Sequence, residues 1–240
     1  MAEFDRPTIA AQRAGTAAAI DEGLRSYMLY FAHAWSTTTD PTQAVGQLAN
    51  GTLVTQWGSL IYASPLQWVI MFAPLAFVLV LSFGINRLSG ATAQLLFWVF
   101  AAVMGLSLSS IFMVYTDASI AKVFFISAAT FGAMSLYGYT TKRDLTSIGN
   151  FLIMGLIGLI IASIVNIFLA SSMLDFAISA IGVLIFVGLT AYDTQRIKES
   201  YDEGHGAEVL QKTAVMGALS LYLDFINLFM MLLRLFGNRE

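Results

Sequence analysis

Long apolar segments separated by short polar breaks dominate the second half of this chain. A helix needs roughly 20 apolar residues to cross about 30 Å of hydrocarbon. Five segments meet that length plainly, and a sixth, 213–236, carries one acidic residue, Asp224, near its middle. The five are 66–85, 92–116, 121–139, 151–170 and 173–191. The pattern predicts at least six transmembrane helices.

The segment 27–64 is long enough for another span but has a mixed character. It contains Asp40-Pro41 and Asn50-Gly51, which are typical of breaks and turns. No stretch within it reaches 18 apolar residues. Hydropathy alone therefore predicts six spans.

The distribution of basic residues favours a seventh span between residues 24 and 65. With that span, nine basic residues lie on one side of the membrane and three on the other; without it, the split is six to six. The nine are Arg6, Arg13, Arg25, Arg87, Lys142, Arg143, Arg196, Lys198 and Lys212, and the three are Lys122, Arg234 and Arg239. Lys and Arg are biased to the cytoplasm. We therefore expect seven spans, with the N-terminus inside and the C-terminus outside.

Composition supports the membrane assignment. The chain is 58% hydrophobic and only 11% charged, and a soluble surface requires more charge than that. The chain has no cysteine, which excludes disulfides and thiolate sites, and its net charge of -3 argues against nucleic acid as a partner. We predict a cytoplasmic tail at residues 1–24 and a single transmembrane domain at residues 25–240, with the lipid bilayer as its partner.

Asp224 is the first candidate for chemistry, because charge inside a span is costly and tends to mark function. It lies near the middle of the last apolar segment and shares a helix face with Gly217, Ser220 and Asn227. Ser220 and Asn227 are therefore candidates for an ion path. The competing interpretation is a structural aspartate that a neighbouring helix satisfies.

Asp193 and Arg87 are the next candidates. Asp193 follows the segment 173–191, near the cytoplasmic surface, and would lie deeper if its helix continued past Gln195. Arg87 ends the segment 66–85 on the same side, where a snorkelling anchor is ordinary. If Asp193 and Asp224 met in a low-dielectric site, they would share a proton and titrate as a pair. Their spacing in the sequence does not decide whether they meet.

Two motifs resemble the Bax inhibitor-1 family, also called the transmembrane Bax-inhibitor-motif family. They are GLTAYDTQRI at 188–197 and ALSLYLDFINLF at 218–229. Three further segments look like bacterial members: SPL at 64–66, APLAF at 73–77 and LYGYTTKRDL at 136–145. The resemblance covers roughly residues 64–240.

The resemblance implies an all-α membrane fold of seven transmembrane helices with the C-terminal helix central. It also implies a pH-sensitive Ca²⁺ leak in the bacterial inner membrane, gated by the Asp193–Asp224 pair. By position it assigns the latch on that pair to Arg87, less securely because no strong motif carries the match. Carboxylates are Ca²⁺ ligands, so Asp193 and Asp224 could bind the ion transiently. No resident cofactor is implied.

The N-terminal part departs from the family pattern. Residues 24–29, LRSYML, match the segment that precedes the first helix of family members, but the residues that follow are not apolar. A divergent helix, a re-entrant segment or a local reading-frame error would each account for this.

Two other functions remain open at this stage. The chain could be a non-enzymatic regulator of a membrane protease or a quality-control system. It could also be an intramembrane aspartyl protease, since two aspartates on adjacent helices suit general acid–base work. Against the protease, Leu223 precedes Asp224, where such enzymes carry glycine. A non-enzymatic leak is the favoured prediction.

Overall fold

The computed structural model of the chain describes residues 46–47, 53–62, 64–200 and 206–238. Six of its helices are long and apolar enough to cross a membrane. They are α2 (Leu66–Gly84), α3 (Gly90–Leu108, continued by a 3-10 turn at Ser109–Met113), α4 (Asp117–Thr140), α5 (Thr146–Leu169), α6 (Ser172–Glu199) and α7 (Ala207–Phe236). Each coincides over most of its length with one of the six predicted apolar segments, so the predicted all-α membrane fold is confirmed.

The largest extensions beyond the predicted apolar segments are those of α6 and α7. Helix α6 continues to Glu199, past the predicted end at residue 191, and α7 begins at Ala207 rather than at residue 213. Polar residues end the part of a segment that lipid can solvate, but they do not interrupt backbone hydrogen bonding. Residues 192–199 contain neither glycine nor proline, so the helix continues through them. Asp193 consequently lies inside α6.

The described part of residues 24–65 is not a transmembrane helix. Strand β1 (Gly46–Gln47) pairs antiparallel with β2 (Leu53–Val54), and the helix α1 (Gln56–Tyr62) follows. At 1.5 Å per residue, α1 is about 10 Å long and cannot span a bilayer. The rest of the expected first span, and the predicted tail at residues 1–24, lie outside the described residues.

The chain divides into two compact units. One consists of Met1–Asn86 and Leu95–Met113 and thus includes α2 and most of α3. Within it, Leu81 of α2 and Phe100 of α3 are fully buried.

The second unit consists of Arg87–Gln94 and Val114–Glu240, and it contains α4, α5, α6 and α7. Helix α6 packs against α7, α4 and α5, and α7 also packs against α4. In the most apolar stretch of α7, 56% of the residues are buried, whereas in that of α5 only 6% are buried. The C-terminal helix is therefore the most buried of the six spans, as predicted, and α5 is the least buried.

Aromatic rings hold α7 against α4. Phe225 of α7 makes T-shaped contacts with Phe124 and Phe131 of α4, at ring-centroid distances of 5.7 and 5.5 Å. Edge-to-face pairs of this kind contribute about 0.5–1.5 kcal/mol each beyond the area they bury. Phe225 directly follows Asp224, so these contacts fix the orientation of the aspartate on its helix.

Candidate functional site

The candidate site is a pair of carboxyl groups between α6 and α7. Asp193 lies six residues before the end of α6, and Asp224 lies in the middle of α7. The Asp193 side chain is 14% exposed, and Asp224 as a residue is 5% exposed. Both groups are therefore largely removed from solvent, on adjacent helices.

The carboxyl groups of Asp193 and Asp224 lie close enough to interact directly. An ionised carboxylate has no hydrogen to donate, so a hydrogen bond between the two groups requires a proton on one of them. No N–H or O–H donor among the described residues reaches Oδ2 of Asp224, although that atom is buried. A proton shared with Asp193 would spare the pair an unpaired charge in the bundle.

Close helix packing allows the two carboxyl groups to approach. One turn beyond Asp193, Ile197 of α6 lies against Gly217 of α7, where an added Cβ would be 3.0 Å from the isoleucine Cγ1. On α6 itself, the hydroxyls of Thr190 and Thr194 donate to the carbonyls of Phe186 and Thr190, so neither hydroxyl donates to the carboxyl pair. A small residue at the crossing lets the backbones come close, as in other membrane helix pairs.

Arg196 is the basic neighbour of the pair. Its guanidinium Nη1 lies 3.7 Å from Oδ1 of Asp193, one helical turn away, and its side chain is 61% exposed. An exposed i, i+3 pair of this kind contributes little to stability. Its positive charge nevertheless offers Asp193 a second partner besides Asp224.

Arg87 lies elsewhere in this structure. It sits in the exposed turn between α2 and α3 and forms no ion pair with Asp193 or Asp224. The latch role that the resemblance implies for Arg87 stays a prediction, because the pairing seen here is with Arg196. The signal for Arg196 was present in the sequence: it follows Asp193 by three residues on a helix that continues.

The two candidate ion-path residues line the same side of α7 as Asp224. Ser220 and Asn227 are both half-buried. The side-chain amide of Asn227 donates to the carbonyl of Leu223, 2.8 Å away on its own helix. The side-chain nitrogen of Asn227 is thus already hydrogen-bonded in this structure. Its side-chain carbonyl oxygen is the group that it could offer to an ion.

Sequence reasoning missed a set of contacts beside the pair. The buried Gln195 accepts a hydrogen bond from the backbone N–H of Leu145 and donates one to the carbonyl of Arg143, both at 2.8 Å. Lys198 donates to the carbonyl of Tyr139 at 2.8 Å, with its ammonium 5.0 Å from that ring's centroid. The last turns of α6 are therefore bonded to the end of α4 and to the α4–α5 loop.

The opposite ends of α6 and α7 are also connected, about 27 Å away along the helix. Arg234 of α7 lies 3.7 Å from Asp175 in the first turn of α6. Beyond α7, Asn238 donates to Ser119 Oγ at 2.9 Å, and its carbonyl accepts from Thr116 N–H at 3.1 Å. These contacts tie the C-terminal end of α7 to α6 and to the start of α4.

The site has the donor chemistry of a weak cation site. Two carboxylates provide hard oxygen ligands, which Ca²⁺ prefers, but tight Ca²⁺ sites use six to eight oxygens. In the part of the chain that the structure describes, no three His, Cys, Asp or Glu side chains form a group that could hold a metal. The pair therefore suits a transient, hydrated ion better than a resident one.

Comparison with known proteins gives consistent matches. The family model described as "Inhibitor of apoptosis-promoting Bax1" matches residues 26–240. An uncharacterized protein of Rickettsia prowazekii is 51% identical over 225 residues, which cover 92% of each chain. The inner membrane protein YbhL of Escherichia coli K12 is 55% identical over 173 residues, covering 71% of this chain and 74% of YbhL. An uncharacterized protein of Caulobacter vibrioides is 46% identical over 233 residues, covering 92% of each chain.

The family match begins at residue 26, so it also includes the segment 27–64 whose polar character departs from the pattern. Its extent, the identity to these relatives and the six membrane-spanning helices agree. This chain belongs to the Bax inhibitor-1 family of multi-pass membrane proteins.

Proposed function

We propose that this protein is a pH-sensitive cation leak of the bacterial inner membrane, with Ca²⁺ as the expected ion and the Asp193–Asp224 pair as its gate. The observation that carries the proposal is the close approach of two largely buried carboxyl groups on adjacent transmembrane helices. The inner membrane follows from the apolar helices and from the location of the relative YbhL.

Loss of the shared proton changes the force between α6 and α7. With the proton, a hydrogen bond holds the two helices together at this point. Without it, two negative charges face each other, and at 4 Å their repulsion is about 4 kcal/mol at an effective dielectric constant of 20. That energy is large enough to shift a two-state equilibrium between a closed and a separated α6–α7 interface. Protonation is thus a sufficient switch.

The separated state would offer a path for a cation. Two ionised carboxylates attract a divalent cation, and Ser220 and Asn227 continue the polar face along α7. Few ligands mean weak binding, which conduction requires because the ion must leave as readily as it enters. In that state Asp193 can retain Arg196 as its counter-ion or exchange it for Arg87, which would then act as the latch.

Flux into liposomes tests this function directly. Purified protein is reconstituted in vesicles that enclose a Ca²⁺ indicator, and uptake is followed as a function of external pH. We expect Asp193→Asn and Asp224→Asn to abolish or strongly shift the pH dependence, and the double variant to be no worse than either single one, because the pair acts as a unit. Asp175→Asn, at the other end of α6, is the matched control and should keep the wild-type profile.

The flux experiment has a clear negative outcome. If both single Asp→Asn variants fold and retain the wild-type pH–flux curve, the carboxyl pair is structural and the proposed gate is wrong. Absence of flux from the wild-type protein at every pH would refute the leak itself.

The proposed orientation places the N-terminus in the cytoplasm and Glu240 outside. It rests on the nine-to-three distribution of basic residues. Reporter fusions at Glu240 check it: a periplasmic reporter should be active there and a cytoplasmic one inactive. A cytoplasmic C-terminus would instead mean six spans and would rule out the seventh between residues 24 and 65.

A further inference from the structure

We propose that Gln195 is a positioning residue for the carboxyl pair: its side-chain amide clamps the cytoplasmic end of α6 to the α4–α5 loop (residues 141–145), so that Asp193 and the loop move as one body. The inference rests on the proposed function in so far as Asp193 belongs to a gate. The clamp itself is a matter of contacts and can be tested without ion flux.

The oxygen and the nitrogen of the Gln195 side-chain amide each have a backbone partner of the matching kind. Its Oε1 can only accept, and it faces the N–H of Leu145; its Nε2 can only donate, and it faces the carbonyl of Arg143. The amide orientation is therefore determined by its backbone partners. Gln195 is 6% exposed, so water cannot readily replace either bond.

Neighbouring contacts reinforce the clamp on the same side of α6. Lys198 binds the carbonyl of Tyr139 at the end of α4. Ala191 lies against Gly138 of α4, and the ring of Tyr192 lies against Gly149 of α5, with glycine at each contact because a Cβ would not fit. Residues 191–198 are thus backed by α4, α5 and their loop.

The contacts of the same segment with α7 are of another kind. They include the carboxyl pair, which depends on a proton, and Ile197 against Gly217. The far ends of these helices are tied by Asp175 and Arg234. When the pair loses its proton, the clamped segment therefore separates from α7 as a unit, whereas an unclamped segment could relieve the repulsion by moving Asp193 alone.

A clamp and a simple loop cap lead to different measurements. If Gln195 only caps the loop, its side chain orders residues 141–145 and does nothing more. If it is a clamp, it also determines the free energy needed to separate Asp193 from Asp224. Charged groups near this end also affect a pH profile and must stay constant between variants. They are Arg87, Lys142, Arg143, Asp144, Arg196, Lys198, Glu199, Glu208 and Lys212, with Tyr137 and Tyr139 on α4.

The experiment uses the absence of cysteine from the chain. Cysteines that replace the exposed Lys142 and Glu199 carry spin labels. Double electron–electron resonance then gives the distance distribution between the loop and α6 in the reconstituted full-length protein. Unlabelled protein gives the pH midpoint of Ca²⁺ flux. Both are measured for the wild type and for Gln195→Met, which keeps the length of the side chain and removes both hydrogen bonds.

We expect the wild type to show one narrow distance on both sides of the flux midpoint. Gln195→Met should broaden that distribution and shift the midpoint, because Asp193 is no longer held to the loop. Gln195→Glu keeps the acceptor for Leu145 and loses the donor to Arg143, so it should give a smaller broadening. Because it adds a charge beside the site, it is used only for the distance measurement, where it also replaces a methionine variant that fails to fold. Gln211→Met, which removes the 2.9 Å bond between Gln211 and Gln94, is the matched control and should change neither quantity.

Three results would overturn the inference. An unchanged narrow distance in both Gln195 variants would exclude the clamp. A broadened distance with an unchanged flux midpoint would reduce Gln195 to a loop cap, and equal effects from Gln211→Met would show that any lost amide bond suffices. If the wild type shows no pH-dependent flux, the proposed function fails, and the distance distribution alone decides whether the clamp exists.

Discussion

Gly138→Ala tests the close contact between α4 and α6 beside the site. A Cβ at position 138 would lie 2.8 Å from the carbonyl carbon of Ala191, 2.9 Å from its Cα, and closer still to its oxygen. Ordinary contacts begin near 3.4 Å. The obstacle is backbone and cannot rotate away, so α4 must move from α6 by about 1 Å in a closely packed interior.

The expected magnitude follows from two opposing terms. Overpacking costs typically 1–3 kcal/mol, and a backbone obstacle puts this site at about 3 kcal/mol. Replacing a helical glycine by alanine returns about 1 kcal/mol of helix propensity. The net loss is about 2 kcal/mol, which for a chain of this size lowers the melting temperature by about 4–8 °C.

Gly132→Ala on the same helix is the matched control. An added Cβ there meets nothing within 4 Å, so only the propensity gain applies and the melting temperature should stay level or rise. Both variants are compared with the wild type by thermal unfolding in the same detergent. If Gly138→Ala is as stable as Gly132→Ala, the α4–α6 approach described here is wrong. Because Ala191 precedes Asp193 by two residues, a destabilised Gly138→Ala should also show an altered pH–flux curve.

Three further predictions concern single residues. Ala170 ends α5 in the left-handed region at φ 47°. Ala170→Gly should therefore remove steric strain of about 1 kcal/mol and raise the melting temperature. A lower melting temperature would contradict this. Hydrogen bonds from Thr146 hold the pKa of Asp144 below its ordinary value. The resulting stabilisation of the start of α5 is present above the unfolded pKa and is lost as pH falls through the folded pKa. A carboxyl NMR titration that gives Asp144 an ordinary or raised pKa would refute this. Arg196→Ala should alter flux at neutral pH, because it removes the counter-ion of Asp193. Arg87→Ala should shift the balance between the open and closed states without erasing the pH response. The liposome assay measures both variants, and an unchanged pH–flux curve for either one would remove that arginine from the mechanism.

Much of this fold could be predicted from the sequence, because crossing a bilayer is a local property. Some 20 apolar residues in succession are enough to define a span, and all six such segments became helices. The same holds for Asp224, since an acidic residue within an apolar helix stands out wherever its neighbours lie. Asp193 was identified through its motif, and its depth depended on a helix end that hydropathy misplaced.

Tertiary structure decided which groups meet. Hydropathy could not distinguish Arg196 from Arg87 as the neighbour of Asp193, find the bonds of Gln195 to a loop 50 residues earlier, or separate the tightly packed Gly138 from the open Gly132. In a soluble protein the polar face of a helix marks the side turned away from the core. Helices in lipid are apolar on all sides, so the sequence carries little record of their rotation. Rotation and register are set by close packing and interhelical hydrogen bonds, which exist only once the helices have assembled.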